Sequence, residues 1–412
     1  MHEQSDYDAL DHWVDAHFDE QVRFLQSLVR VPTDTPPGNN APHAEHTAKA
    51  LAGFGWPVEK HPVPAATVAA AGLESITNLV VRRRFAHTGP VIGLNAHGDV
   101  VPPGDDWRYS PYGGEIHDGK LYGRASAVSK SDFATYCYAL RAIEESGLKV
   151  GGCVELYFTY DEEFGGELGP GWLLDQHIVH PDLLIAAGFS YQVITAHNGC
   201  LQLEVTVTGK MAHAAIPHSG RDALQASVKL LTALYALNDG YRQIRSGVPG
   251  ITHPYLNVGQ ISGGTNTNVV PGKVVLRLDR RMIPEEDPRQ VETDLRTLIT
   301  RTAAGFDDIA VDVQRLLLAN PLRPLPGNKA LVDALSHHAS TVLGEAVGAS
   351  GTPLYADARL FGEAEIPAVL YGAGPRTLLE SNAKRADEHI VLTDLKAATR
   401  VVARTLLDLL DA

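Results

Sequence analysis

The chain is poor in cysteine and in basic residues, and it has no long apolar run. Only three of its 412 residues are cysteine: Cys137, Cys153 and Cys200. Their spacing matches no metal motif, and a sparse, odd-numbered set builds no disulfide framework. Lysine and arginine number 35 against 49 acidic residues, a formal charge of −14. Such a balance argues against nucleic-acid and anionic-membrane partners. No stretch approaches the ~20 apolar residues of a membrane span. The opening Met-His-Glu-Gln-Ser-Asp is acidic and lacks the apolar segment of a secretory signal, so a cytoplasmic protein is expected. There is no internal repeat and no low-complexity linker. Core material is plentiful, at 44% hydrophobic residues, over a length that suits two domains.

Periodicity sets the order of elements. Apolar residues at helical spacing predict helices over 7–30, 41–54, 130–145, 329–343 and 393–410. Short apolar runs predict strands over 77–81, 91–94, 154–160, 181–187 and 368–371. Alternating strands and helices point to an α/β domain with a mostly parallel sheet and helices on both faces. Near residue 195 the texture changes. Residues 201–208 alternate apolar and polar, as a half-exposed antiparallel strand does. A helix (222–237), two strands (256–261, 274–278) and a helix (288–303) follow, which reads as a small inserted α+β unit. The predicted boundaries are 1–194 and 314–412 for the large domain, and 195–313 for the insertion.

The chemistry centres on Leu94-Asn-Ala-His97-Gly-Asp99. Residues i and i+2 of a strand share a face. The strand therefore presents an imidazole and a carboxylate together at its carboxyl end, where α/β sheets keep their sites. A carboxylate that orients a histidine is a recurring part of metal centres. Alone, the pair reads equally well as two polar residues in a turn. Downstream come Asp118-Gly-Lys-Leu-Tyr-Gly-Arg124 and Thr159-Tyr-Asp-Glu162-Glu163-Phe-Gly-Gly166.

That order and spacing resembles the zinc-dependent aminoacylase and exopeptidase family, which includes acetylornithine deacetylase, succinyl-diaminopimelate desuccinylase and carboxypeptidase G. The resemblance covers nearly the whole chain. It implies a catalytic domain with an inserted lid or dimerisation domain, a homodimer, and two zinc ions that activate a bridging water. His97 matches the family's first metal ligand and Asp99 its orienting carboxylate. Glu162 matches the general base, and Glu163 the neighbouring ligand. His213, in Gly209-Lys-Met-Ala-His213, matches the histidine that polarises the scissile carbonyl across the dimer. Asn268 and Arg281 fall in regions that the family uses for the substrate carboxylate or for domain contacts, and Arg359 matches a family Asp-Ala-Arg segment; an arginine fork suits carboxylate binding.

Three ligand positions depart from the pattern. Val128 stands where the bridging aspartate belongs, Phe189 where an acidic ligand belongs, and Lys384 where the last histidine belongs. One ligand is left for each ion, so reduced or absent binding of zinc or another divalent metal is expected, with Lys384 paired to Glu163 in its stead. Asp132, Asp182 and His389 are the nearby substitutes, should the three segments be misaligned. Ser126, Ser129 and Ser131 beside Lys130 offer a Ser/Lys nucleophile pair, or ordinary helix-start serines. The expected activity is hydrolysis of an amide bond in a small N-acyl amino acid or peptide-like carboxylate, without an organic cofactor. The competing readings are a metal-free lyase, isomerase or amidase using Glu162 and Lys384, and a non-catalytic binder of small molecules.

Overall fold

The structure is a computed structural model, and it describes residues 2–410. The chain divides into two compact units. The large one holds residues 1–195, 324–350 and 356–412; the small one holds 196–323 and 351–355.

The large unit is built on an eight-stranded sheet. Its order is Glu59–Pro62, Thr77–Arg84, Cys153–Thr159, Val91–His97, Leu183–Ala186, Ala368–Leu370, Val193–His197, Ala349–Thr352. The four central strands, from Cys153–Thr159 to Ala368–Leu370, are parallel. Thr77–Arg84 and Val193–His197 flank them antiparallel. Strand alternation sends successive side chains to opposite faces. Phe158 stacks on Phe133 of helix Lys130–Glu145, while Tyr157 stacks on Phe361 of helix Ala358–Glu363. Helices therefore cover both faces. Gln4–Val29, Lys130–Glu145, Lys329–Leu343 and Leu392–Leu410 pack on the Phe158 side in one continuous core. Each buries an apolar stripe at helical spacing, for example Leu10, Val14, Leu25 and Leu28 of the first. Three further strands, His389–Val391, Lys120–Tyr122 and Glu115–His117, form a separate small sheet.

The small unit is a four-stranded antiparallel sheet in the order Tyr255–Gly263, Lys273–Met282, Gly199–Thr208, Ala310–Ala319. Leu201, Leu203, Val205 and Val207 alternate onto one face and meet helices Ala223–Tyr241 and Pro288–Ala303. Gln202, Glu204, Arg277 and Asp279 point the other way. The expected boundary at 314 is corrected here. Position 314 lies in the middle of Ala310–Ala319, which pairs with Gly199–Thr208 along its length, so the small unit runs on to Arg323. The three cysteines are buried and free. Among the described residues no helix is long and apolar enough to cross a membrane.

Candidate active site

Two neighbouring strands supply the site at their carboxyl ends. His97 ends Val91–His97, in register with Thr159 of Cys153–Thr159. Three residues past Thr159 the chain turns into a short 3₁₀ segment, Glu162–Phe164. Asp99 ties the two ends together. Its Oδ1 accepts from the Glu162 N–H at 3.2 Å and its Oδ2 from the Glu163 N–H at 3.0 Å. Asp99 is fully buried, and two backbone donors are what a buried carboxylate requires. It also flanks the imidazole. His97 Nδ1 lies 3.1 Å from the Asp99 carbonyl and 3.4 Å from Asp99 Oδ1, and Nε2 lies 3.8 Å from Glu162 Oε2. Ser129 fixes the backbone of His97 from the side. Its hydroxyl accepts from the His97 N–H and donates to the His97 carbonyl, both at 3.0 Å.

Electrostatics follow from this packing. Burial works against a charged imidazole, but Glu162, the Asp99 hydrogen bond and Glu163 outweigh it and hold His97 up at about 10. Burial also raises the Glu162 carboxyl, while the His97 charge pulls it down, leaving it at about 6. Lys384 Nζ donates to Glu163 Oε2 at 2.6 Å. Desolvation opposes that ammonium, but the attraction of Glu163 and then Glu162 raises its pKa. Lys384 sits at φ 62°, in the left-handed region that a side chain rarely adopts. Val128 and Phe189 are half-buried.

The surrounding residues brace the turn. Arg359 is 2% exposed. Its guanidinium donates to Glu363 at 3.0 Å, to Glu167 at 3.0 Å and to the Gly165 carbonyl. It holds the loop after Glu162, with its guanidinium engaged by two carboxylates and a carbonyl. Asp161 accepts from the Leu168 N–H, and the Asp357 carboxyl packs against Gly166 where any Cβ would collide. Burial, then Glu162, raises the Asp357 carboxyl well above its ordinary range. Glu388 anchors the loop before Val128. Its carboxylate accepts from Arg124 at 2.6 Å and from the Ala127 N–H at 3.2 Å, and its carbonyl accepts from the Gly123 N–H at 2.9 Å. Ser129 was read only as part of a Ser/Lys pair, and none of Asp161, Asp357 and Glu388 was singled out from sequence. Asp161 and Glu388 each stand beside a residue that was, which is the one local signal they give.

The substitutes are engaged by the protein's own backbone. Asp182 is exposed and accepts from the Val91 N–H at the opposite end of its strand. Asp132 accepts from the Ala373 N–H at 2.7 Å, and His389 Nδ1 meets the Asp387 carbonyl. The Ser/Lys pair does not form. Lys130 Nζ donates to the Val31 carbonyl, while Ser126, Ser129 and Ser131 donate to the carbonyls of Glu388, His97 and Ala127. Among the described residues no group of three or more His, Cys, Asp or Glu side chains is arranged to hold a metal ion.

The small unit carries the rest. His213 is exposed on Ala212–His213, which pairs with Val269–Val270, and the Ala214 N–H donates to the Asn268 carbonyl at 2.9 Å. His213 and Asn268 therefore share one pair of loops. Arg280 and Arg281 part company on their strand. Arg280 is buried over Tyr241 with Glu286, whereas Arg281 lies on the other face, clasped by Asp279 at 2.8 and 3.3 Å.

Fold and comparison together define a hydrolase of the peptidase class. Residues 93–408 match Peptidase family M20/M25/M40, and the chain belongs to that family. It is 27% identical over 398 residues to a succinyl-diaminopimelate desuccinylase of Methylorubrum populi, covering 93% of this chain and 97% of that one. Solved structures share the fold. The di-peptidase Dug1p of Saccharomyces cerevisiae superposes with a TM-score of 0.81 at 13% identity, over 98% of this chain and 99% of that one. The metallo-carboxypeptidase Sso-CP2 of Sulfolobus solfataricus gives 0.77 at 18% identity, over 94% and 98%.

Proposed function

We propose that the chain hydrolyses an amide bond in a small N-acyl amino acid or peptide-like carboxylate, with little or no bound metal. The observation that carries the reading is the grip of Asp99 on Glu162 and Glu163 beside His97. Glu162 takes a proton from water as the oxygen attacks the carbonyl carbon. It returns that proton to the amine as the C–N bond breaks. His213 stabilises the oxyanion, and Asn268 and Arg281 receive the carboxylate; these three roles rest on the resemblance of their segments.

The side chains present do not make the donor set of a two-ion centre. Val128 and Phe189 carry no donor atom, and the Glu163 carboxylate is bonded to Lys384. Zinc hydrolytic sites keep three protein ligands and an open position. Relative to the family pattern, the three substitutions delete two negative charges and add one positive. Of the four positive charges that two divalent ions would bring, three are thus made up, two by the lost carboxylates and one by the Lys384 ammonium. Elemental mass spectrometry should find far less than one divalent ion per chain, and amide hydrolysis should survive a chelator. Two ions per chain, with activity lost on chelation, would reject the metal-poor reading.

A second copy of the chain is the proposed partner. Leu224, Val228 and Tyr235 line one exposed side of Ala223–Tyr241, and Tyr255–Gly263 is an edge strand carrying exposed Ile261. Exposed apolar stripes and open strand edges are what protein interfaces cover. Sedimentation should give twice the chain mass; a monomer at micromolar concentration would count against it.

A further inference from the structure

A serine at the start of a helix ordinarily caps it, accepting from an N–H of the first turn. Ser129 stands at that position for Lys130–Glu145 but makes no such bond. Its hydroxyl is turned instead to His97, accepting from the N–H and donating to the carbonyl, both at 3.0 Å. One capping bond is thus given up for two bonds to the residue that carries the imidazole. Ser129 and His97 are buried, at 0% and 6% exposure, where a peptide group without a partner is costly.

The sheet shows why His97 depends on this hydroxyl. Along a parallel strand the peptide groups turn alternately to the two neighbours. The Gly98 N–H turns to Cys153–Thr159 and donates to the Thr159 carbonyl at 2.8 Å. On the other side, pairing with Leu183–Ala186 ends at Asn95, whose carbonyl accepts from the Ala187 N–H at 2.8 Å. Past Ala187 the chain pairs with Gly374. The Gly374 N–H donates to the Gly188 carbonyl at 2.9 Å, and the Ser190 N–H to the Gly374 carbonyl at 3.0 Å. His97 lies two residues beyond Asn95 and faces the same side, with Ser129 there in place of a strand. Ser129 is itself held, its carbonyl accepting from the Asp132 N–H at 2.9 Å.

We propose that Ser129 is a positioning residue for hydrolysis. By fixing the His97 peptide groups, it keeps the ring at 3.4 Å from Asp99 Oδ1 and 3.8 Å from Glu162 Oε2. It acts through His97 and not on the substrate. The inference rests on the hydrolytic reading, in which Glu162 works beside that ring.

Steady-state kinetics of full-length variants, on any N-acyl amino acid that the wild type turns over, tests it. Ser129→Ala should lower kcat about 10–100-fold, the usual cost of a slightly misplaced site group, and leave KM within about twofold. Ser129→Thr, which keeps the hydroxyl, should recover most of the loss. Ser129→Cys, a weaker donor, should fall between them, and it stands in for alanine should that variant not fold. Hydrogen exchange read by mass spectrometry should be faster at the His97 amide in the alanine or cysteine variant than in the wild type. Wild-type kcat without the hydroxyl, a loss confined to KM, a loss that threonine does not restore, or unchanged exchange overturns the proposal. A wild type that turns over no amide rejects the hydrolytic reading itself, and the positioning role falls with it. An active wild type beside an unimpaired alanine variant rejects the role of Ser129 alone.

Discussion

Glu162→Gln should lower turnover of any amide substrate by about 10²–10⁴-fold, the usual contribution of a positioned general base. The amide keeps the shape of the carboxylate but cannot take a proton from water. The variant should fold normally, because Glu162 is held through its backbone N–H, which donates to Asp99, and glutamine keeps that donor. Substrate affinity should change little, so the loss should fall on kcat. Steady-state kinetics with a circular-dichroism melt as fold control decides the matter. A variant retaining more than a tenth of wild-type kcat would remove Glu162 from the mechanism.

The second large effect concerns Asp132, a buried carboxyl with one hydrogen bond, from the Ala373 N–H. Burial pushes it up from 3.8 to about 7, against the Ala373 bond and the His97 charge. The folded value lies above the unfolded one. The protonated form therefore supports the native state fully below about pH 4, and that support is lost as pH rises through about 7. At 1.36 kcal/mol per pH unit the total is roughly 4 kcal/mol. Asparagine keeps the acceptor and does not titrate. Asp132→Asn should melt close to wild type at pH 4.5 and several degrees above it at pH 8. Parallel melting profiles across that range would show that Asp132 does not carry the titration.

The fold was legible wherever one residue pattern decides an element. The helices Lys130–Glu145, Pro288–Ala303 and Lys329–Leu343 begin and end where apolar spacing and flanking residues say they should. Strands at the margins were not legible. Glu59–Pro62 carries no apolar run, and Ala310–Ala319 reads as an ordinary mixed segment until Gly199–Thr208 is there to pair with it. The site divides similarly. His97, Asp99, Glu162 and Glu163 are near neighbours on two strand ends, so short motifs name them. Asp357, Arg359 and Glu388 act through contacts made across 190 or more residues of sequence; Arg359 to Gly165, for example, spans 194. No local pattern separates such an arginine from one that waits for a ligand. Here burial separates them, and burial is a property of the folded chain.

One short stretch late in the chain has a consequence for how the protein is made. Residues 384–388 hold three earlier segments. Lys384 takes Glu163, Asp387 accepts from the N–H groups of Arg108 and Tyr109, and Glu388 takes Arg124 and Ala127. A ribosome delivers those earlier segments well before their clasp. While residues 164–383 emerge, Glu163 has no counter-ion from Lys384, and Arg124 has no carboxylate from Glu388. The reactive end of the sheet is thus finished only after residues 384–388 have emerged. A nascent chain carrying its base and its histidine stays chemically incomplete until residues 384–388 are free to fold back.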